Sequence, residues 1–260
     1  MELTLQQQTI EAEDALAVQE LFFQNEWTDG LPVIPPTKNK IEAMLNAVPM
    51  DPQTIIGAIP ERGCVFTLEV AAINSVMAGC LPEYFPVVVT AVSAISDPAF
   101  GLHGPSASTH GPAILIIVNG PVAKSIGLNH GQNLFGPGVR ANSTIGRAVR
   151  LILLNAGGTR EFDRSTLGHG GKFSYCIAEN ETTEWLPLHV QKGYDPQSSS
   201  VTVFAGEAPN QFQNHTSQKA ESILLTLADR MSALGTFNIN GHSEMVVILC
   251  PEHYYTCRDQ

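Results

Sequence analysis

Residues 173–185, FSYCIAENETTEW, place one thiol and three carboxylates in a single short stretch. Phe173, Tyr175 and Ile177 alternate with Ser174 and Cys176, the period of a strand. Glu179, Glu181 and Glu184 follow directly. In open α/β sheets, ligands collect beyond the carboxyl ends of strands. Extended backbone there points Glu179 and Glu181 the same way, so they could serve as acid and base or as hard metal ligands. Against this stands the plainer reading of a buried cysteine followed by a solvated acidic turn.

A second thiol sits in VMAGCLPEYFP, residues 76–86. Gly79 suits a helix C-cap, and Pro82 with Glu83 suits the first turn of the next helix. Cys80 is thereby expected at a helix start, where the macrodipole favours a thiolate, while Glu83 opposes it. The bland alternative is a small apolar residue packed in a corner between helices. Cys80 and Cys176 are the candidate nucleophiles, with Glu179 and His169 as candidate proton carriers.

The loop NHGQNLFGPGVRANSTIGRAVR, residues 129–150, runs into a helix. It has neither the Lys-Ser/Thr of a phosphate loop nor the spacing of a dinucleotide fingerprint, so no nucleotide cofactor motif is present. Asn133, Gly136, Gly138 and Arg140 could still hold the anionic group of a small substrate at free helix amides. The histidines form a third set. His103 and His110 lie on HGPSASTH, His169 precedes the cysteine strand, and His189 follows the acidic turn. None has the HExxH spacing. Brought together by folding, His103, His110, Glu181 and His189 could ligate a divalent metal.

At VMAGCLPEYFP, NLFGPGVRANSTIGRAVRLIL, LGHGGKFSYCIAENE and VVILCPEH the chain resembles a family of bacterial proteins that sit beside, or are joined to, a thioredoxin-like selenoprotein module with a UGSC motif. The resemblance runs from DGLPVIPP to PEH and implies a small-molecule enzyme linked to thiol or selenol chemistry. This chain contains no UGSC segment. Family-type positions present here are Glu69, Asn74, Cys80, Glu83, His103, His110, His169, Cys176 and Glu179.

The elements that must position these residues can be read from pattern. Helices are expected over Glu11–Asn25, Lys38–Ala47, Thr67–Ala78, Glu83–Ile95, Arg140–Leu154 and Gln218–Leu234. Strands are expected over Thr54–Ile59, Ala113–Val118, Phe173–Ala178, Val201–Ala205 and Met245–Cys250, and a further helix would begin after Pro251. The order is not a clean βαβ alternation. The expected fold is therefore α/β or α+β, a layered mixed sheet with buried apolar helices in a single globular unit. Residues 1–34 read as a helix and Pro-rich connector, and residues 35–260 as the catalytic domain.

The 260 residues carry a formal charge of -11 and a pI near 5.1. No basic stripe offsets that charge, which disfavours nucleic acid and an anionic membrane surface. The amino terminus shows no basic and apolar leader pattern, and five cysteines without a CxxC suggest free thiols in the cytoplasm. Three classes stay open: a cysteine enzyme acting by redox or covalent addition on a small anionic or polar substrate; a metal-dependent lyase, hydrolase or oxidative enzyme; and a non-catalytic ligand-binding oligomer. The expected partners are a small-molecule substrate, further copies of the chain and a thiol reductant.

Overall fold

A computed structural model of the chain describes residues 5–6, 9–181, 184–233 and 244–260. The chain folds as two compact units, Met1–Ala208 and Pro209–Gln260. The first carries α1 (Ala15–Gln24), α2 (Lys38–Leu45), β1 (Ile55–Ile59), β2 (Cys64–Thr67), α3 (Leu68–Ala78), α4 (Phe85–Ile95), α5 (His103–Ala107) and β3 (Ala113–Asn119). It continues through α6 (Pro121–Ser125), α7 (Arg140–Ala156), α8 (Thr159–Phe162), β4 (Cys176–Ala178), α9 (Leu188–Gln191) and β5 (Ser200–Gly206). The second carries α10 (Ala220–Met231) and α11 (Pro251–Arg258).

The expected mixed, layered α+β class is the one observed. β3 is the centre of a three-stranded sheet, parallel to β4 and antiparallel to β5. Its run AILIIVN is buried almost throughout because both faces are covered. Ile116, Val118, Cys176 and Ala178 face a core built with α3, α4 and α7. Leu115, Ile117, Tyr175 and Ile177 face the other way, with Leu134, Leu188 and Phe204 against them. The apolar helices α3 and α4 spend their faces on this core and do not form an exposed patch.

Local signals explain the boundaries. Thr67 caps α3 by accepting from the Val70 amide, and Gly79 ends it at φ 94°. α7 lies close to β4 at Gly146, where a Cβ would meet the Tyr175 nitrogen at 2.5 Å. The Pro-rich connector is fastened to the same unit. Arg147 grips Asp29 through Nε and Nη2, each at 2.8 Å, and also donates to the Pro32 carbonyl. Buried Glu69 accepts from the Gln6 amide and the Gln53 side chain.

Two expected elements differ. β4 begins at Cys176 and not at Phe173, because Gly170–Lys172 makes a tight helical turn whose Gly170 carbonyl takes the Phe173 amide. Met245–Cys250 is no buried strand: residues 244–250 have no regular structure, and Met245, Val246, Val247 and Ile248 are each at least 40% exposed. An apolar run becomes a strand only where another strand pairs with it. α10 ends at Met231, and the expected end at Leu234 lies outside the described residues. α11 begins at Pro251, as its position after the apolar run suggests.

Candidate functional site

Parallel pairing brings the ends of β3 and β4 side by side, with Val118 opposite Ala178. The next residue of β3 is Asn119, fully buried and on the same face as Leu115 and Ile117. Its Nδ2 donates to Glu179 Oε2 at 2.5 Å and to Glu181 Oε1 at 2.8 Å. The Gly120 amide also donates to Glu181 Oε1, at 2.7 Å, and the Leu188 amide donates to Glu179 Oε2 at 2.8 Å. Gly120 sits at φ 83°, and a Cβ there would run into the Ser198 carbonyl oxygen. Only glycine lets the chain turn at that point and present its amide.

α9 delivers the fourth group. His189 is 1% exposed, and its Nδ1 lies 3.8 Å from Glu181 Oε1. Neither ring nitrogen has a hydrogen-bond partner among the described residues. Asn119 Oδ1 is likewise buried and unpartnered, as is Oγ of Ser200, which stands across the sheet from Asn119 in β5. Unpaired buried polar atoms cost about 1–3 kcal/mol each. Four of them gathered at one strand end are unusual for side chains that only hold a fold together. The arrangement can accept protons and hydrogen bonds from a small molecule and can pass a proton through the imidazole.

The two candidate thiols lie elsewhere. Cys80 and Cys176 are both buried in the helix-covered core. Burial pushes the Cys80 thiol up to about 12, against the opposing charges of Arg140 and Arg147. Cys176 is pushed up as well, by burial and then by Cys80 beside it. Both are protonated packing groups at neutral pH, and Cys80 donates to the Thr144 carbonyl at 3.3 Å.

His169 does not reach Cys176. Its ring packs edge-on against Tyr175, on the opposite face of β4. Its Nδ1 accepts from the Gly171 amide at 3.1 Å and its Nε2 faces the Gly206 carbonyl at 3.3 Å. Burial lowers its pKa despite that carbonyl and Glu207, so the ring is neutral. It is a cap for the turn before β4.

The proposed metal set is divided between the two ends of β3. His110 pairs with Glu207 at 2.5 Å beside the amino end, while Glu181 and His189 stand at the carboxyl end, a strand length of about 20 Å away. His103 lies in α5, where its backbone carbonyl accepts from Arg62. Among the described residues, no group of three or more His, Cys, Asp or Glu side chains is placed to hold a metal ion.

The anion loop is also self-contained. Asn133 takes φ 56° and donates to the Pro137 carbonyl at 3.1 Å, and the Gly136 amide returns to the Asn133 carbonyl. Gly138 turns at φ 125°. Exposed Arg140 directs Nε to the Gly79 carbonyl at 3.0 Å, towards Cys80 and away from the carboxylates. The loop's real connection to the site runs through Asn142, which donates to the Cys176 carbonyl at 3.0 Å, and through Asn129, whose carbonyl takes the Ala178 amide.

A cavity of about 30 Å³, room for one water, lies by the amino end of β3. Arg150 and Lys172 line it. Both are already committed to Asp163, at 3.2 and 2.7 Å.

Of the residues in this cluster, sequence reasoning singled out Glu179 as a catalytic candidate and Glu181 and His189 as metal ligands, and it did not single out Asn119, Gly120 or Ser200. The available signal was an apolar strand ending in Asn-Gly: a polar residue where a covered strand meets its carboxyl end. No helix among the described residues is long and apolar enough to cross a membrane. Comparison with protein-family models, with curated proteins and with solved structures finds no match for this chain.

Proposed function

We propose that the chain is a small-molecule enzyme whose active site is the Asn119–Glu179–Glu181–His189 cluster, working by general acid–base catalysis. One observation carries this reading: a fully buried imidazole with both nitrogens unpartnered stands 3.8 Å from a carboxylate at the carboxyl end of a parallel strand pair. His169 has both ring nitrogens partnered, and His103 leaves only Nδ1 buried and unpartnered.

His189 takes and returns the proton. Glu181, anchored by Asn119 and Gly120, orients the ring and supports its cationic form. Glu179, anchored by Asn119 and Leu188, fixes the Asn119 amide so that Oδ1 accepts from the substrate. The unpaired valences of this cluster are mostly acceptors, and two carboxylates repel an anion. The substrate class that fits is therefore a small neutral or amine-bearing molecule with hydroxyl or amino donors, and the reaction class is proton-transfer chemistry of the lyase or hydrolase kind.

This reading moves the chemistry away from the buried thiols. Cys80→Ala and Cys176→Ala are expected to keep turnover within about twofold and to cost about 1 kcal/mol of stability each by leaving a small cavity. The decisive experiment incubates stoichiometric protein with a metabolite extract and follows compounds by mass spectrometry. A compound consumed by the wild type, and by both Cys→Ala variants, but not by His189→Gln or Glu181→Gln supports the proposal. Consumption that survives in His189→Gln, or stops in Cys176→Ala, overturns it.

A further inference from the structure

The second unit holds a thiol of a different kind from Cys80 and Cys176. Cys250 is exposed and sits directly before Pro251, the first residue of α11. One turn into that helix, His253 is 8% exposed and turns Nδ1 to the Cys250 sulfur at 3.4 Å. Its other nitrogen, Nε2, lies 3.1 Å from the backbone carbonyl of Asn214. A carbonyl only accepts, so in the neutral ring Nε2 carries the hydrogen and Nδ1 presents its lone pair to the thiol.

The orienting group is itself held. The Asn214 side chain donates to Ser222 and Thr226 of α10 and accepts from the Ser217 amide. Phe212 stacks on the His253 ring at 5.8 Å and 12°. An accessible nucleophile, a base within reach of it, and a third group fixing the base is the arrangement that activates a weak nucleophile.

We propose that Cys250 and His253 form a nucleophile–base pair that reacts with the disulfide of a small thiol. In the step, His253 Nδ1 takes the thiol proton and the sulfur of Cys250 attacks one sulfur of R–S–S–R. The S–S bond breaks, and the departing thiolate recovers the proton from the imidazolium. The products are a Cys250 mixed disulfide and one R–SH: the Cys250 sulfur is oxidised and the leaving sulfur is reduced.

A disulfide fits better than an acyl group. Attack at a carbonyl builds an oxyanion that needs preorganised donors, and the nearby Asn214 amide is spent on α10. Attack at sulfur places the charge on the leaving group, which the imidazolium can protonate. A second thiol reverses the step, so a thiol reductant would act at this surface cysteine and not at the buried pair.

The test treats the reduced full chain with glutathione disulfide at neutral pH and locates adducts by peptide mass spectrometry. Cys257, partly exposed and two turns along the same helix, is the internal reference. Cys250 is expected to form its mixed disulfide about tenfold faster or more, and His253→Gln is expected to bring it down to the Cys257 rate.

Should His253→Gln disturb the fold by circular dichroism, the wild-type pH profile decides. A base-assisted thiol gains rate across the imidazole range, about pH 6–7, before the ordinary thiol range near 8.5. His215, whose ring centre is 6.4 Å from that of His253, is a titratable neighbour in space, and Glu252 and Tyr254 flank His253 in sequence; His215→Gln is expected to leave the profile in place. Equal rates at Cys250 and Cys257 in the wild type overturn the pair. Fast alkylation of Cys250 by iodoacetamide without exchange on glutathione disulfide overturns the substrate class.

Discussion

At the amino end of β3, His110 meets Glu207, His169 is tied at both nitrogens, and Asp163 gathers Lys172, Arg150 and Ser165. At the carboxyl end of the same strand, the His189 ring has no hydrogen bond among the described residues, and Asn119 and Ser200 each leave an oxygen buried and unpartnered. The residue types are alike at the two ends, but the accounting of their polar atoms is not. At the amino end these groups are consumed in holding the turns around residues 109, 163 and 170 together, and the unpartnered atoms nearby, His103 Nδ1 and Arg62 Nε, belong to the α5 corner and not to this set. The carboxyl end leaves buried polar atoms unpaired at a cost in stability, the relation expected if it is the site proposed above.

The sharpest way to break this comparison is His189→Leu. Turnover should fall by about 10²–10⁴-fold, the range lost with a proton carrier. Stability should rise by about 1–3 kcal/mol, because an apolar side chain of similar size removes two unsatisfied buried nitrogens. Chemical denaturation beside the activity assay reads both. A variant that loses stability and keeps turnover would make His189 a structural group like His169.

Gly120→Ala comes next, at about 3 kcal/mol destabilising. The methyl group would press on the Ser198 carbonyl and force a left-handed backbone on alanine. Relief must move the Gly120 amide off Glu181, so the surviving folded protein should also lose activity. Glycine-to-alanine tolerance, measured by thermal unfolding, would mean that the strand end is looser than its hydrogen bonds indicate.

How much of this difference could be read in advance depends on the range of the forces involved. The helices α3 and α7 and the central strand were legible, because caps such as Thr67 and Gly79 and a covered run such as AILIIVN act within their own segment. Met245–Cys250 carries nearly the same apolar signature as β3 and forms no strand, since pairing is decided by distant residues. Glu179 and Glu181 were found from their place after a strand. The partner that joins them, Asn119, comes from sixty residues earlier and only topology brings it there. Likewise nothing in the spacing of the histidines separates His110, at the amino end, from His189.

At the amino end the largest expected effect is Asp163→Asn, about 2 kcal/mol, since Asp163 accepts charge-assisted bonds from Lys172 and Arg150. Burial raises its carboxyl, but the hydrogen bonds from Lys172 and Ser165 and the Lys172 charge outweigh that and hold it well below the usual range. A depressed folded pKa gives stability that is present above the unfolded value, near 3.9, and lost as pH falls through the folded value. The gap between wild type and variant should therefore be constant from pH 7 to about 5 and close progressively below about 4. A gap that is flat to pH 2, followed by denaturant titration, would place the effect in packing and not in charge.

The smallest effect belongs to His110→Gln. Its side chain and that of Glu207 are 36% and 40% exposed, and the contact is ionic only when the imidazole is protonated. Pairs this exposed contribute about 0.5 kcal/mol or less, and salt screens them. Urea midpoints of wild type and variant should agree closely at 1 M salt and differ slightly at low salt, with turnover unchanged in both. That outcome separates the two ends in function as well as in geometry, because a histidine 2.5 Å from a carboxylate would then be silent while one 3.8 Å away is not. Loss of turnover in His110→Gln would join the ends into one machine and require a path between them through β3.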